Sequence, residues 1–309
     1  MNIANRKFVP IVLFAFNRPR HLHTTLLSLA KNEYAAQSDL IIYCDGPRNE
    51  QDALMVKEVD VVIKNINGFH SVSVVKRDRN VGLAENIISG INEQIFVNDR
   101  IIVLEDDLVT SPFFLRFMNE ALAEYNDDLS VASVHGYCFP CQKKSSESTF
   151  FLRGADCWGW GTWRRAWKFF NPDARFLYNK IIETREYVRF NRNFSYDYMR
   201  MLVDVCEGKV SSWAVRWLAS AWINNMYTLY PRESLVCNIG MDGSGTHCGS
   251  SNNAGVQLAG GPIEVKKNPV EEHQEMSFEL IRYLESDSGG KLARIKRAII
   301  YYLSMLNSF

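Results

Sequence analysis

The chain has 309 residues, 47% hydrophobic and 12% aromatic, which is enough to bury a large core and excludes global disorder. Lys plus Arg and Asp plus Glu each total 35, so no basic excess exists to drive nucleic-acid binding. Seven cysteines (44, 138, 141, 157, 206, 237 and 248) share no repeated metal spacing beyond one C-x-x-C and read as free thiols of a reducing, cytoplasmic compartment.

Residues 9–16 are an apolar run of strand length, too short to cross a membrane, and Asn17-Arg18-Pro19 ends it. A helix is predicted over 21–31, then a strand over 40–44 closed by Asp45-Gly46-Pro47. A helix over 52–66 and a strand over 71–76 follow, and Asn80 is placed to cap a helix over 82–96. A fourth strand, 101–104, ends abruptly in Glu105-Asp106-Asp107. Strands alternating with helices, each strand too apolar to face water, predict an α/β fold with a mostly parallel sheet covered on both faces.

The second half reads as a helix over 112–125, a strand over 130–135 and a polar loop over 142–148. After it come an aromatic block, Trp158-Gly159-Trp160-Gly161-Thr162-Trp163, further helix to about 225 and a last strand over 228–230. Residues 239–260 hold six glycines with Ser, Thr and Asn, the composition of a mobile loop. A C-terminal helical extension, 261–309, closes the chain. On its last helix Leu292, Ile295, Ile299, Tyr302, Leu306 and Phe309 share one face, while Lys291, Arg294, Lys296 and Arg297 crowd the start without an acid. Two readings stand: an interfacial helix on an anionic membrane, at its inner face, or a helix docked on its own domain or a partner.

In doubly wound sheets ligands sit beyond the carboxyl ends of the strands. Three such ends carry polar groups here: Asn17-Arg18, Asp45 and the Glu105-Asp106-Asp107 triplet. Three consecutive carboxylates after a buried strand are costly unless a cation or hydrogen-bond donors meet them. A hard divalent cation completed by phosphate oxygens answers that cost; an exposed acidic turn that caps the next helix is the alternative.

These segments resemble a known family. Ile101-Ile102-Val103-Leu104-Glu105-Asp106-Asp107-Leu108, with Ser111-Pro112-Phe113-Phe114, looks like the metal-binding segment of N-acetylglucosaminyltransferase I and its bacterial relatives, the GT-A fold glycosyltransferases including the family 2-like polysaccharide enzymes. Pro10-Ile11-Val12-Leu13-Phe14-Ala15-Phe16-Asn17-Arg18-Pro19 fits their first strand, and Asp45-Gly46 and Arg79-Asn80-Val81-Gly82-Leu83-Ala84 fit their nucleotide half. Trp158-Gly159-Trp160 is similar to their acceptor half, and residues 238–247 to the loop folding over the donor.

The resemblance implies a GT-A (Rossmann-like) domain over 1–260, split into a nucleotide-sugar half (1–110) and an acceptor half with the donor-covering loop (111–260). It implies transfer from a nucleoside-diphosphate sugar, a UDP-sugar foremost, to a saccharide or lipid-linked saccharide in bacterial surface-polysaccharide assembly. Asp107 would hold Mn²⁺ or Mg²⁺, Asp106 would bond the ribose and Glu105 would touch the sugar. Asp45 would read base or ribose, with Asn17, Arg18, Arg79 and Asn80 near the nucleotide and His247 a further metal ligand or phosphate donor. The family's catalytic base precedes a Trp-x-x-Arg segment, whereas Ser211-Ser212-Trp213-Ala214-Val215-Arg216 carries no carboxylate. Asp156 and Asp242 are the substitutes. Trp158 and Trp160 are candidates for stacking on an acceptor sugar, against the alternative of core packing. Two rival functions remain: a sugar-1-phosphate nucleotidyltransferase, for which Asn17-Arg18-Pro19-Arg20 is the wrong loop, and a non-catalytic nucleotide-sugar-binding protein.

Overall fold

The computed structural model describes residues 8–243 and 256–306. Four parallel strands, β1 (Ile11–Ala15), β2 (Asp39–Cys44), β3 (Ser71–Lys76) and β4 (Arg100–Glu105), are joined by α1 (Pro19–Ala30), α2 (Glu50–Lys64) and α3 (Leu83–Val97). Ile11 pairs with both Leu40 and Ile102, so β1 is central, and all five of its residues are buried. Such a strand must be apolar on both faces, which is why it reads as an unbroken run. Pro19 occupies the first turn of α1, where its missing N–H is harmless. Asn49 caps α2 by accepting from the Asp52 N–H.

Two expectations change in this half. Gly82, at φ 85°, begins α3 in place of Asn80, whose side chain is used elsewhere. β3 is the sheet edge, and Val72 and Val74 are exposed there, so the sheet is not covered on both faces throughout.

The second half adds β5 (Leu108–Thr110), α4 (Phe114–Glu124), β6 (Val131–His135), β7 (Thr149–Arg153) and β8 (Trp160–Trp163). Helices α5 (Arg164–Trp167), α6 (Ala174–Glu183), α7 (Tyr187–Phe190), α8 (Tyr198–Cys206) and α9 (Trp213–Ile223) follow, then β9 (Tyr227–Pro231) and β10 (Val236–Asn238). The main sheet has eight strands in the order β3-β2-β1-β4-β8-β6-β9-β7, with β8 and β7 antiparallel to their neighbours. The sheet is therefore mostly parallel, as predicted. Gly161 makes the insertion of β8 feasible: a Cβ there would lie 2.9 Å from both Leu122 and Met118 of α4. β5 and β10 pair as a separate antiparallel ribbon. A second apolar cluster forms where α6, α8 and α9 meet through Leu177, Ile181, Met199, Leu202, Val215 and Trp222.

The extension forms α10 (Gln274–Asp287) and α11 (Gly290–Leu306). Arg192, Asn193 and Phe194 all have positive φ, a left-handed turn unfavourable for L-residues. Arg294 donates to the Asn193 carbonyl at 2.9 Å, and Arg297 to those of Phe194 and Ser195 at 2.7 and 2.8 Å. Tyr301 stacks on Tyr187 at 4.2 Å. Two of the four basic residues thus dock α11 on its own domain. Leu292, Ile295, Ile299, Ile300, Tyr302 and Leu303 stay exposed on the other side. Among the described residues no helix is long and apolar enough to cross a membrane. The side chains of Leu306 and Phe309 lie outside the described residues.

Candidate active site

The carboxyl ends of β1, β2 and β4 open into a cleft of 410 Å³, and the residues leading into α9 face them across it. Of the residues singled out from sequence, Asn17, Arg18, Asp45, Asn80, Glu105, Asp106, Asp107 and Trp158 line this cleft. Arg79, Asp156, Trp160 and Asp242 are outside its lining. His247, and most of the predicted covering loop, fall outside the described residues.

Glu105 is the last residue of β4, and Asp106 and Asp107 make the turn into β5. Both aspartates are buried, so the alternative of an exposed acidic turn does not hold. Arg18 Nη2 donates to Asp106 Oδ1 and, at 2.9 Å, pairs with Asp107 Oδ2. The Phe16 N–H donates to Asp106 Oδ2 at 3.3 Å, which turns Asp106 toward the protein. Burial, then the charges of Asp107 and Asp106, pushes the Glu105 carboxyl well above the usual carboxylate range. Burial also raises Asp106, with Arg18 opposing. Burial works against the charge of Arg18, and the two aspartates outweigh it. Three carboxylates against one guanidinium leave a negative site in a low-dielectric setting, which calls for further positive charge.

Among the described residues no group of three or more His, Cys, Asp or Glu side chains converges on a metal-sized site. The donors present are carboxylate oxygens at the floor of an open cleft. That set fits a hard cation held by one or two carboxylates, with the rest of its shell supplied by phosphate and water. Backbone approach to Asp107 is close. Ile239 N–H donates to the Asp107 carbonyl at 2.9 Å, and a Cβ on Gly240 would sit 2.1 Å from Asp107 Oδ2.

Asp45 accepts four hydrogen bonds, from the N–H groups of Gly46, Val81 and Gly82 and from Asn80 Nδ2, at 2.9–3.0 Å. Those bonds use the capacity of a carboxylate. Asp45 therefore shapes the 79–82 loop while it lines the cleft. Arg79, next to the tied residues, is exposed and outside the cleft lining. Asp45→Ala should strand several buried donors and lower stability by about 1–3 kcal/mol, measured by denaturant unfolding. Asn17 Nδ2 donates to Asp52 at 2.6 Å, and Arg48, bonded to the same Asp52, lies over the Phe16 ring at 5.0 Å.

Phe16, Arg48, Asn86 and residues 211–214 line the cleft without having been singled out as ligand-contacting residues. The 211–216 segment is notable in sequence only for its missing carboxylate, and residues 211–214 of it lie on the cleft wall. Arg48 and Asn86 offered no local signal.

The aromatic block divides. Trp158 lines the cleft, and its backbone N–H donates to His135 Nε2 at 2.9 Å. Trp160 is 0% exposed and packs against Trp213, Trp217 and Trp167 at 5.5–6.1 Å. It presents no face to a ligand, which corrects its expected acceptor role. Gly159, at φ 63°, breaks the strand alternation that would otherwise point both tryptophans the same way.

Asp156 sits beside Cys157 and Trp158 at the cleft rim, its side chain 42% exposed. Cys157 N–H donates to Asp156 Oδ1 at 2.8 Å, Tyr230 OH donates to Oδ2 at 3.2 Å, and His135 Nδ1 is 3.9 Å from Oδ2. His135 is fully buried, and burial lowers its pKa. Asp242 pairs with His21 Nε2 at 3.2 Å in an exposed position, away from the carboxylate triplet's cleft lining.

Residues 11–195, well over half of the chain, match the family described as glycosyl transferase family 2. Among solved structures, the mannosyltransferase PcManGT from Pyrobaculum calidifontis, in complex with GDP-Man and Mn²⁺, is similar at 12% identity and TM-score 0.31, over 42% of this chain and 35% of that one. S. aureus TarS is similar at 11% identity and TM-score 0.36, over 53% of this chain and 30% of that one. Its 1–349 fragment in complex with UDP-GlcNAc gives 13% identity and TM-score 0.32, over 48% and 40% of the two chains. The match thus spans less than half the length of each of these structures. No curated protein matches.

Proposed function

This chain belongs to glycosyl transferase family 2, and we propose that it moves a sugar from a nucleoside-diphosphate sugar to a saccharide acceptor, with a divalent cation, Mn²⁺ or Mg²⁺, at Asp107. The carrying observation is the meeting of three strand ends in one cleft, where Glu105, Asp106 and Asp107 face a single bonded guanidinium among the described residues. A bound cation would offset the charge that develops on the departing diphosphate. Asp107 is its protein ligand, Asp106 anchors Arg18, and Glu105 faces the donor sugar. Phe16, after β1, and Arg48, before α2, border the nucleotide, and Asp45 holds the neighbouring 79–82 loop in shape.

Residues 1–110 act as the nucleotide half and 111–260 as the acceptor half, with 261–309 as an appended extension. A UDP-sugar donor, likeness to N-acetylglucosaminyltransferase I, and a place in bacterial surface-polysaccharide assembly complete the reading. Melting curves and turnover with UDP-, GDP-, CMP- and dTDP-sugars, each with and without Mn²⁺, test it. One donor should raise Tm and turn over only with the cation. Binding without turnover would favour a non-catalytic donor-binding protein, a reading supported by the missing carboxylate at 211–214.

Asp156 is the proposed base. Two donors orient its carboxylate beside Trp158, and it is open enough to receive a proton. Asp156→Asn should lower kcat by about 10²–10⁴ while donor affinity stays within twofold. Unchanged kcat in steady-state assays would move the base elsewhere.

The α11 surface suits the inner face of a membrane and a lipid-linked acceptor. Arg294 and Arg297 are turned inward, so Lys291 and Lys296 supply the attraction, about 2 kcal/mol at roughly 1 kcal/mol each. The exposed apolar stripe must add the rest. The protein should sediment with anionic vesicles, and the Lys291→Gln/Lys296→Gln pair should weaken this about thirtyfold without unfolding the turn at 192–194. Equal sedimentation with neutral vesicles, or dimers in place of binding, would assign the stripe to another partner.

A further inference from the structure

Arg18 holds the carboxylates through one nitrogen. Nη2 contacts both Asp106 Oδ1 and Asp107 Oδ2. No hydrogen bond from Nε or Nη1 to a described residue accompanies it, and Arg18 lines the cleft. The backbone here is constrained: Arg18 precedes Pro19 and caps α1 with φ −117° and ψ 71°. Gly240 lies close to Nη1, and any side chain there would crowd it, since a Cβ would come 3.0 Å from that nitrogen.

The cleft therefore treats its two ligands unequally when each comes alone. A bare divalent cation that takes Asp107 must share that carboxylate with a guanidinium, and like charges a few ångströms apart in a partly desolvated site repel strongly. A bare diphosphate meets three carboxylates. Arriving together, the cation faces the carboxylates and the diphosphate offers oxygens to the unused edge of Arg18, a planar multi-donor group suited to phosphate. Resting on the donor reading given above, we infer that Arg18 couples the two binding events, so that the site selects the cation–diphosphate pair over either component alone.

Coupling of this kind is reciprocal: each ligand must tighten the other by the same factor. Calorimetric titrations with Mn²⁺ alone, UDP or GDP alone, and each nucleotide with Mn²⁺ test it on the wild type and on Arg18→Gln. The wild type should bind Mn²⁺ weakly by itself and show mutual enhancement of at least about a hundredfold. Arg18→Gln should bind Mn²⁺ alone about tenfold tighter, because a competing charge is gone, and should lose at least about tenfold of the enhancement. Arg18→Lys keeps the charge but not the fork, so its affinity for Mn²⁺ alone should stay within about threefold of wild type while the enhancement falls.

Should Arg18→Gln not fold, as its melting curve would report, Arg18→Lys decides: a tenfold gain in Mn²⁺ affinity, or full retention of enhancement, overturns the inference. Unchanged or weaker Mn²⁺ binding by a folded Arg18→Gln also overturns it. Nucleotide affinity in the wild type that ignores Mn²⁺ is a different failure, because it removes the cation reading itself and the coupling with it.

Discussion

Replacing Asp107 by Ala should abolish cation-dependent nucleoside diphosphate binding and lower kcat/KM by about a thousandfold or more, while the melting temperature moves by no more than about 2 °C. Two features separate function from stability at this position. Asp106 keeps its bonds to Arg18 and to the Phe16 N–H, so the guanidinium is not left unpartnered. Removing one of three crowded carboxylates also relieves like-charge repulsion, which adds to burial in raising Glu105. Calorimetry with Mn²⁺ and a nucleoside diphosphate reads the first effect and a melting curve the second. An unchanged affinity in a folded variant would remove Asp107 from the ligand set.

The second large effect is on stability. Trp160 is fully buried, and no hydrogen bond to its Nε1 is made among the described residues. Its contribution is packing against Trp167, Trp213 and Trp217. Trp160→Ala should lower stability by about 3–5 kcal/mol, or Tm by roughly 10 °C for a domain of this size. Trp160→Phe, which loses volume but no polar partner, should cost less than half of that. Trp158→Ala gives the opposite pattern: a melting temperature near wild type and an acceptor KM raised about tenfold. Equal destabilisation by the two Ala variants would mean that Trp158 is as structural as Trp160.

The cleft was legible in sequence wherever one buried strand ended in polar groups. Ile101 to Leu104 are uniformly apolar, so Glu105-Asp106-Asp107 marked a strand end, and burial of the two aspartates then decided against an exposed acidic turn. What could not be read is non-local. Asp45 stands at a strand end like the triplet, yet its carboxylate is consumed by a loop some 35 residues later, and only the fold brings the two together. Arg18 reaches Asp106 across 88 positions. The aromatic block defied periodicity for a local reason: Gly159 reverses the backbone between Trp158 and Trp160, and Gly161 reads as a loop residue although it is the space that lets α4 lie on β8. β5 and β10, three residues each, are too short to show any period.

That short ribbon sets when the site comes into being during synthesis. β5 leaves the ribosome directly after the acidic turn, but β10, which pairs with it and brings Ile239 and Gly240 against Asp107, is made more than a hundred residues later. A nascent chain already long enough to build β1 to β4 carries the three carboxylates without the backbone that fixes them. Long-range pairings of this sort form late, because chain entropy must be spent before the contact rewards it. The finished arrangement around Asp107 is thus deferred until residues 236–240 have emerged, and a prematurely terminated chain would carry the motif without it.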